Sequence, residues 1–77
     1  MREFSITIRS FQELQEFVSL ATVQPFEVFV ENDRQQISGK SFMGMFSLDL
    51  SRPMRVVFTC NDEQYAHFRQ CAARFCV

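Results

Sequence analysis

The stretch Gly39–Leu48, GKSFMGMFSL, decides how this chain is read. It puts Phe42, Met43, Met45, Phe46 and Leu48 within ten residues, behind a lysine and a serine. A short helix starting at Phe42 leaves Ser41 as its N-cap, where the hydroxyl accepts a free backbone N–H. A phosphate on that hydroxyl would meet several N–H donors and the positive end of the helix dipole, with Lys40 at hand to pair with it. A plain cap and a modification site therefore both fit Ser41. The apolar residues divide as well. Over two turns Phe42, Met45 and Phe46 lie close together and Met43 points elsewhere, so they cannot all face one sheet. Core packing and a partly exposed docking patch both remain open for this cluster, and exposed Met and Phe mark partner surfaces.

Outward from this stretch the chain alternates between two periods. Before it, Phe26–Glu31 (FEVFVE) reads as a strand with Phe26, Val28 and Val30 on one face, leaving Phe29 between Glu27 and Glu31 on the other. Asn32–Gln35 is a polar turn and Gln36–Ser38 a short return strand, which makes a hairpin. Further back, Glu3–Arg9 alternates as a half-buried strand, with Phe4, Ile6 and Ile8 inward. A helix from Phe11 to Thr22 follows, its apolar face made of Phe11, Leu14, Phe17, Val18 and Ala21. Ser10 and Glu13 have capping-box spacing, and Pro25 stops the helix. After the central stretch come a loop at Asp49–Pro53, a strand Met54–Cys60, and a last helix capped by Asn61 or Asp62. Tyr65, Phe68, Ala72 and Phe75 keep one face of that helix apolar to the C-terminus.

The order βαββαβα predicts an α+β fold, with helices covering one face of a mainly antiparallel sheet. Seventy-seven residues, 47% of them hydrophobic and ten of them Phe, suit one small domain over residues 1–77. The net charge of −1 comes from interspersed acids and bases. No basic stripe points to nucleic acid. No apolar run approaches the roughly 20 residues that span a bilayer, so no membrane insertion is expected, and the N-terminal alternation is not that of a signal peptide. Cys60, Cys71 and Cys76 are odd in number and lack C-x-x-C spacing, which reads as reduced cytoplasmic thiols used in packing. No metal site, cofactor, phosphate-cradling glycine loop or catalytic constellation is expected. No short ligand pair stands out, and the one histidine, His67, reads as a surface residue of the last helix.

Gly39–Leu48 resembles the regulatory-serine segment of HPr, the histidine-containing phosphocarrier of the bacterial sugar phosphotransferase system. That family has a typical Lys-Ser-Ile-Met-Gly-Val-Met-Ser-Leu pattern. Lys40, Ser41, Met43, Gly44, Ser47 and Leu48 match it, and Phe42, Met45 and Phe46 are apolar replacements. The order of elements fits over nearly the whole chain. The resemblance implies an open-faced β-sandwich, a four-stranded antiparallel sheet with three helices on one face. It implies cytoplasmic protein partners: the phosphoenolpyruvate-dependent first enzyme, the HPr kinase, sugar-specific permease components and a catabolite-control regulator. It implies that Ser41 is the position phosphorylated by the kinase, and that Lys40, Phe42, Met43 and Phe46 dock partners. The family's active site is a Gly-Ile-His-Ala-Arg-Pro run after the first strand. Here the corresponding run is RSFQELQEF, with Ser10 at the position of the phosphoryl-accepting histidine and Gln12 at that of the arginine. A regulatory or interaction module is therefore expected rather than an enzyme or a competent carrier. Carriage by another residue, such as His67, is one alternative. A divergent binding or oligomeric domain using Phe29, Phe42 and Phe46 is the other.

Overall fold

The computed structural model describes residues 1–76. Strand β1 (Arg2–Ile6) leads into helix α1 (Phe11–Thr22). The hairpin β2 (Val28–Glu31) and β3 (Gln36–Ser38) is followed by the short helix α2 (Phe42–Phe46). Strand β4 (Met54–Phe58), helix α3 (Asp62–Cys71) and a 3-10 turn (Ala73–Phe75) complete it. The sheet order is β1-β4-β2-β3 with every pair antiparallel, so β4 is inserted between β1 and β2. Four antiparallel strands under three helices is the α+β open-faced sandwich expected for βαββαβα.

Strand register explains which side chains meet the helices, because cross-strand partners share a face. Phe4, Val56, Val30 and Ile37 form one inward row, and Val28 and Phe58 lie in the next. Leu14, Phe17, Val18 and Ala21 of α1, Met45 of α2 and Phe68 of α3 close over these rows in one continuous core. The opposite face carries Glu3, Val57 and Phe29 in one row and Ser5, Arg55, Glu31 and Gln36 in another. Arg55 Nε donates to Glu31 Oε1 across that face at 3.1 Å.

The rings of Phe4, Phe26, Phe58 and Phe68 interlock beneath α3, with centroids 5.1–5.7 Å apart in the contacting pairs. Edge-to-face contact of this kind adds to the area each ring buries. Both glycines are placed by close approach. A Cβ on Gly39 would come 3.0 Å from Val28 Cγ1 and 3.3 Å from Val30 Cγ2, where the backbone passes over the hairpin.

The strands are shorter than the alternation predicts. β1 ends at Ile6 instead of Arg9, because its partner β4 starts at Met54 after Pro53, which has no N–H for a ladder. Beyond that point Thr7 N–H donates to Phe75 O at 2.8 Å, and Ile6 bridges Cys76, so the C-terminal segment closes the edge of β1. Ile8 stays buried even so. Phe26 and Glu27 precede β2, but the Phe26 ring stacks on Phe58 at 5.4 Å. Thr59 and Cys60 lie past the end of β4.

Helix α1 has the expected bounds, and its cap differs in one bond. Ser10 Oγ accepts Glu13 N–H at 3.2 Å, while the Glu13 carboxylate takes Arg9 N–H at 2.9 Å in place of the cap's own N–H. The full reciprocal capping box is at α3: Asn61 Oδ1 accepts Gln64 N–H and Gln64 Oε1 accepts Asn61 N–H. The last helix does not continue in α form to the chain end. It stops at Cys71 and tightens into the 3-10 turn, which still turns Phe75 inward against Phe17. Val77, the C-terminal residue to which that helix is expected to run, lies outside the described residues.

Candidate functional site

Helix α2 has five residues, so its cap decides whether it forms at all. Ser41 has extended backbone angles and its Oγ accepts Gly44 N–H at 3.1 Å. At the other end Ser47 Oγ donates to Gly44 O at 2.6 Å. A Cβ at position 44 would come 3.1 Å from Ser41 Oγ, so glycine there leaves the cap unobstructed. Ser41 is exposed.

The side chains of α2 separate as two turns of helix require. Met45 is wholly buried in the core. Phe42 is half-buried, whereas Met43 is 76% and Phe46 54% exposed. Phe11, placed in the core by helical spacing, is also 54% exposed. As the first residue of α1 it extends past the sheet and meets α2 instead, 5.5 Å from Phe42 and 6.0 Å from Phe46 between ring centroids. Three phenylalanines from two helices thus form an aromatic surface beside Ser41, extended by Met43. Phe29 cannot join it. It lies on the opposite face of the sheet, so an interface uniting Phe29 with Phe42 and Phe46 is ruled out for a single contact surface.

Lys40 is turned away from the serine. Its Nζ donates to Gln24 O at 2.9 Å, tying the start of α2 to the C-terminal end of α1. Gln24 is itself buried, and its Nε2 donates to Leu20 O at 3.1 Å. Lys40 therefore joins two segments of the fold, with its ammonium bonded to a backbone carbonyl.

Ser10 caps α1 next to Phe11, at the rim of a shallow cleft formed with Ile8, Arg9, Leu50 and Ser51. No imidazole or thiol lines this cleft, and Gln12 is exposed. The Ser10 hydroxyl is engaged as a cap acceptor, and the Glu13 carboxylate takes Arg9 N–H. What the region offers a partner is apolar area. Covering a Phe side chain stabilises a contact by about 1.5–3 kcal/mol, and three aromatic rings and Met43 lie together.

Two crystal structures share this fold. One, described as HPr-C-His from Thermoanaerobacter tengcongensis, superposes with a TM-score of 0.73 at 24% identity, covering 91% of this chain and 89% of that one. The other, the phosphocarrier protein HPr from Bacillus anthracis strain Ames, gives 0.70 at 18% identity, covering 91% and 92%. At these identities the likeness is one of fold, and the HPr-like architecture expected from Gly39–Leu48 and the element order is the one found. No protein-family model and no curated protein matches the chain.

The remaining chemistry-bearing residues lie on or after β4. Arg69 Nη1 donates to Cys76 Sγ at 2.9 Å, and Arg74 pairs with Glu16 at 2.8 Å. Cys60 and Cys76 are half-buried and Cys71 is exposed, all as free thiols. His67 is exposed on α3, as expected, but it is not isolated: its Nε2 lies 3.8 Å from Cys71 Sγ. This is a short ligand pair where none was expected: H-x-x-x-C spacing, unlike C-x-x-C, puts its two donors one turn apart only on a helix. Among the described residues no group of three or more His, Cys, Asp or Glu is arranged to hold a metal ion, and no helix is long and apolar enough to cross a membrane.

Proposed function

We propose that this chain is a protein-binding regulatory module on an HPr-like scaffold, docking its partner through Phe11, Phe42, Met43 and Phe46. The observation that carries the reading is the exposure of three large apolar side chains, Phe11, Met43 and Phe46, at one junction of two helices. Soluble proteins rarely leave such a cluster uncovered without a binding role. The partners are drawn from the sugar phosphotransferase and catabolite-control proteins: the first enzyme, the HPr kinase, a permease component or the regulator. Support for that set is the likeness of Gly39–Leu48 to the regulatory-serine segment together with the shared fold. Ser41 is the regulatory site. Its exposed hydroxyl at the edge of the aromatic surface would, once phosphorylated, set a dianion beside the rings and change which partner fits. With Ser10 where a phosphoryl-accepting imidazole would stand, the module regulates rather than carries, and it acts in the cytoplasm.

Titration calorimetry against each of the four purified partner classes tests this. At least one should bind, Phe46→Ser should abolish the binding, and incubation with the kinase and ATP should add one phosphoryl group at Ser41. No binding to any class, with no mass change at Ser41, overturns the reading. A second reading, phosphoryl carriage, is favoured by the exposure of His67 alone. Incubation with phosphoenolpyruvate and the first enzyme decides it, since an acid-labile phosphate must then appear on His67.

A further inference from the structure

We propose that His67 and Cys71 form half of a zinc-class metal site that is completed by the same pair from a second copy of the chain. The outward arc of α3 runs through Glu63, Ala66, His67, Gln70 and Cys71, all exposed, while Phe68 is buried. On it His67 Nε2 and Cys71 Sγ stand 3.8 Å apart. Tetrahedral zinc with a thiolate at about 2.3 Å and an imidazole at about 2.0 Å needs its donors roughly 3.5 Å apart. The observed separation, that of a thiol–imidazole contact, lies within a few tenths of an ångström of that distance.

The donor set selects the metal. One imidazole and one thiolate suit a borderline-soft, tetrahedral cation rather than magnesium or calcium, which take oxygen ligands. One copy supplies two of the four ligands, and no third His, Cys, Asp or Glu stands near enough to complete a site among the described residues. Two copies related by a twofold axis supply four, as His₂Cys₂. The surroundings permit the approach. Ala66 on this arc is small, and the longer Glu63 and Gln70 side chains are exposed to solvent, so two α3 helices can approach to about 8–10 Å. Glu63, one turn before His67, adds negative charge to this arc. On binding, each thiol loses its proton to solvent, and two thiolates neutralise the dication. This face is distinct from the aromatic surface at α2, so the site stands or falls independently of the proposed docking function.

The test is titration of the reduced, full chain with Co²⁺ and then Zn²⁺. Absorbance would be followed for a thiolate-to-cobalt charge-transfer band, and mass by sedimentation velocity. One metal per two chains, a doubled mass, and loss of both signals in His67→Ala and in Cys71→Ser are expected, with both kept in Cys60→Ser/Cys76→Ser. Each substituted position in α3 is exposed, and circular dichroism verifies that the variants fold. Metal uptake that persists without His67 and Cys71, uptake that needs Cys60 or Cys76, or uptake by monomers overturns the proposal.

Discussion

Two aromatic clusters share this small fold and differ in what surrounds them. Beneath α3, Phe4, Phe26, Phe58 and Phe68 meet ring to ring between sheet and helix, and Phe58 and Phe68 are fully or nearly fully buried. Over α2, Phe11, Phe42 and Phe46 meet at similar centroid distances, yet two of the three rings are more than half exposed. The ring geometry is therefore no guide to the role. The layer above it is. α3 roofs the first cluster through Phe68, whereas the second sits at the N-terminal end of α1 and on the outer side of the five-residue α2, whose inward residue is Met45.

The largest effect should come from breaking the roofed cluster. Phe68→Ala removes a ring that contacts three others, and truncations of this kind cost about 3–5 kcal/mol. Phe46→Ala should cost under about 1 kcal/mol, because much of its area already faces water. Urea unfolding of the two variants measures both. Equal losses would make the α2 cluster part of the core and remove the argument for docking.

The two glycines sharpen the contrast at smaller amplitude. Gly39→Ala drives a methyl to 3.0 Å from Val28 Cγ1 in a packed region, where overpacking costs about 1–3 kcal/mol. Gly44→Ala, at a half-buried position, meets Ser41 Oγ at 3.1 Å and makes ordinary contact with Ile37 Cδ1 at 3.5 Å. The helix gains about 1 kcal/mol of propensity from the alanine, against a weakened cap worth about the same. Near-neutral stability is expected for it, with faster hydrogen exchange at the residue-44 amide. A loss as large as that of Gly39→Ala would mean that α2 is held more tightly than its exposure indicates.

These differences mark what the sequence could disclose. Ser41 and Asn61 were legible because a cap is a local event, a polar side chain followed by the amides it bonds. The split of Met45 from Met43 was legible because a two-turn helix has only one inward side. The ends of β1 and β4 were not, since they depend on where the opposing strand begins, and Pro53 limits a partner more than forty residues away. Helical spacing alone assigns Phe11 to the core, because it describes the direction of a side chain and not whether the sheet extends beneath it. The His67–Cys71 pair is within reach of the sequence, since a last helix running to the C-terminus already sets the two at i and i+4, but C-x-x-C spacing does not include it.

The smallest expected effect lies in the loop joining α2 to β4, between the two clusters. Asp49 Oδ1 accepts both the hydroxyl and the backbone N–H of Ser51, and Arg52 lies nearby. These bonds, the hydroxyl's first, hold the Asp49 carboxyl below its ordinary value of 3.8. A carboxylate depressed in the folded state stabilises the fold above its unfolded pKa, and that contribution disappears as pH falls through the lower folded value. The window is therefore acidic, from about pH 4 downward, and stability near neutrality is untouched. Because the group faces solvent, the effect is small and local. Carbon-detected NMR titration of the Asp49 side chain should show the depressed midpoint, and Ser51→Ala should return it toward the ordinary value. Phe46→Ala should leave it where it is, since the loop's own turn makes these bonds. If Phe46→Ala moved the Asp49 midpoint, the aromatic surface would be holding the loop in place. It would then contribute to the fold as the roofed cluster does, and its exposure would no longer argue for a partner.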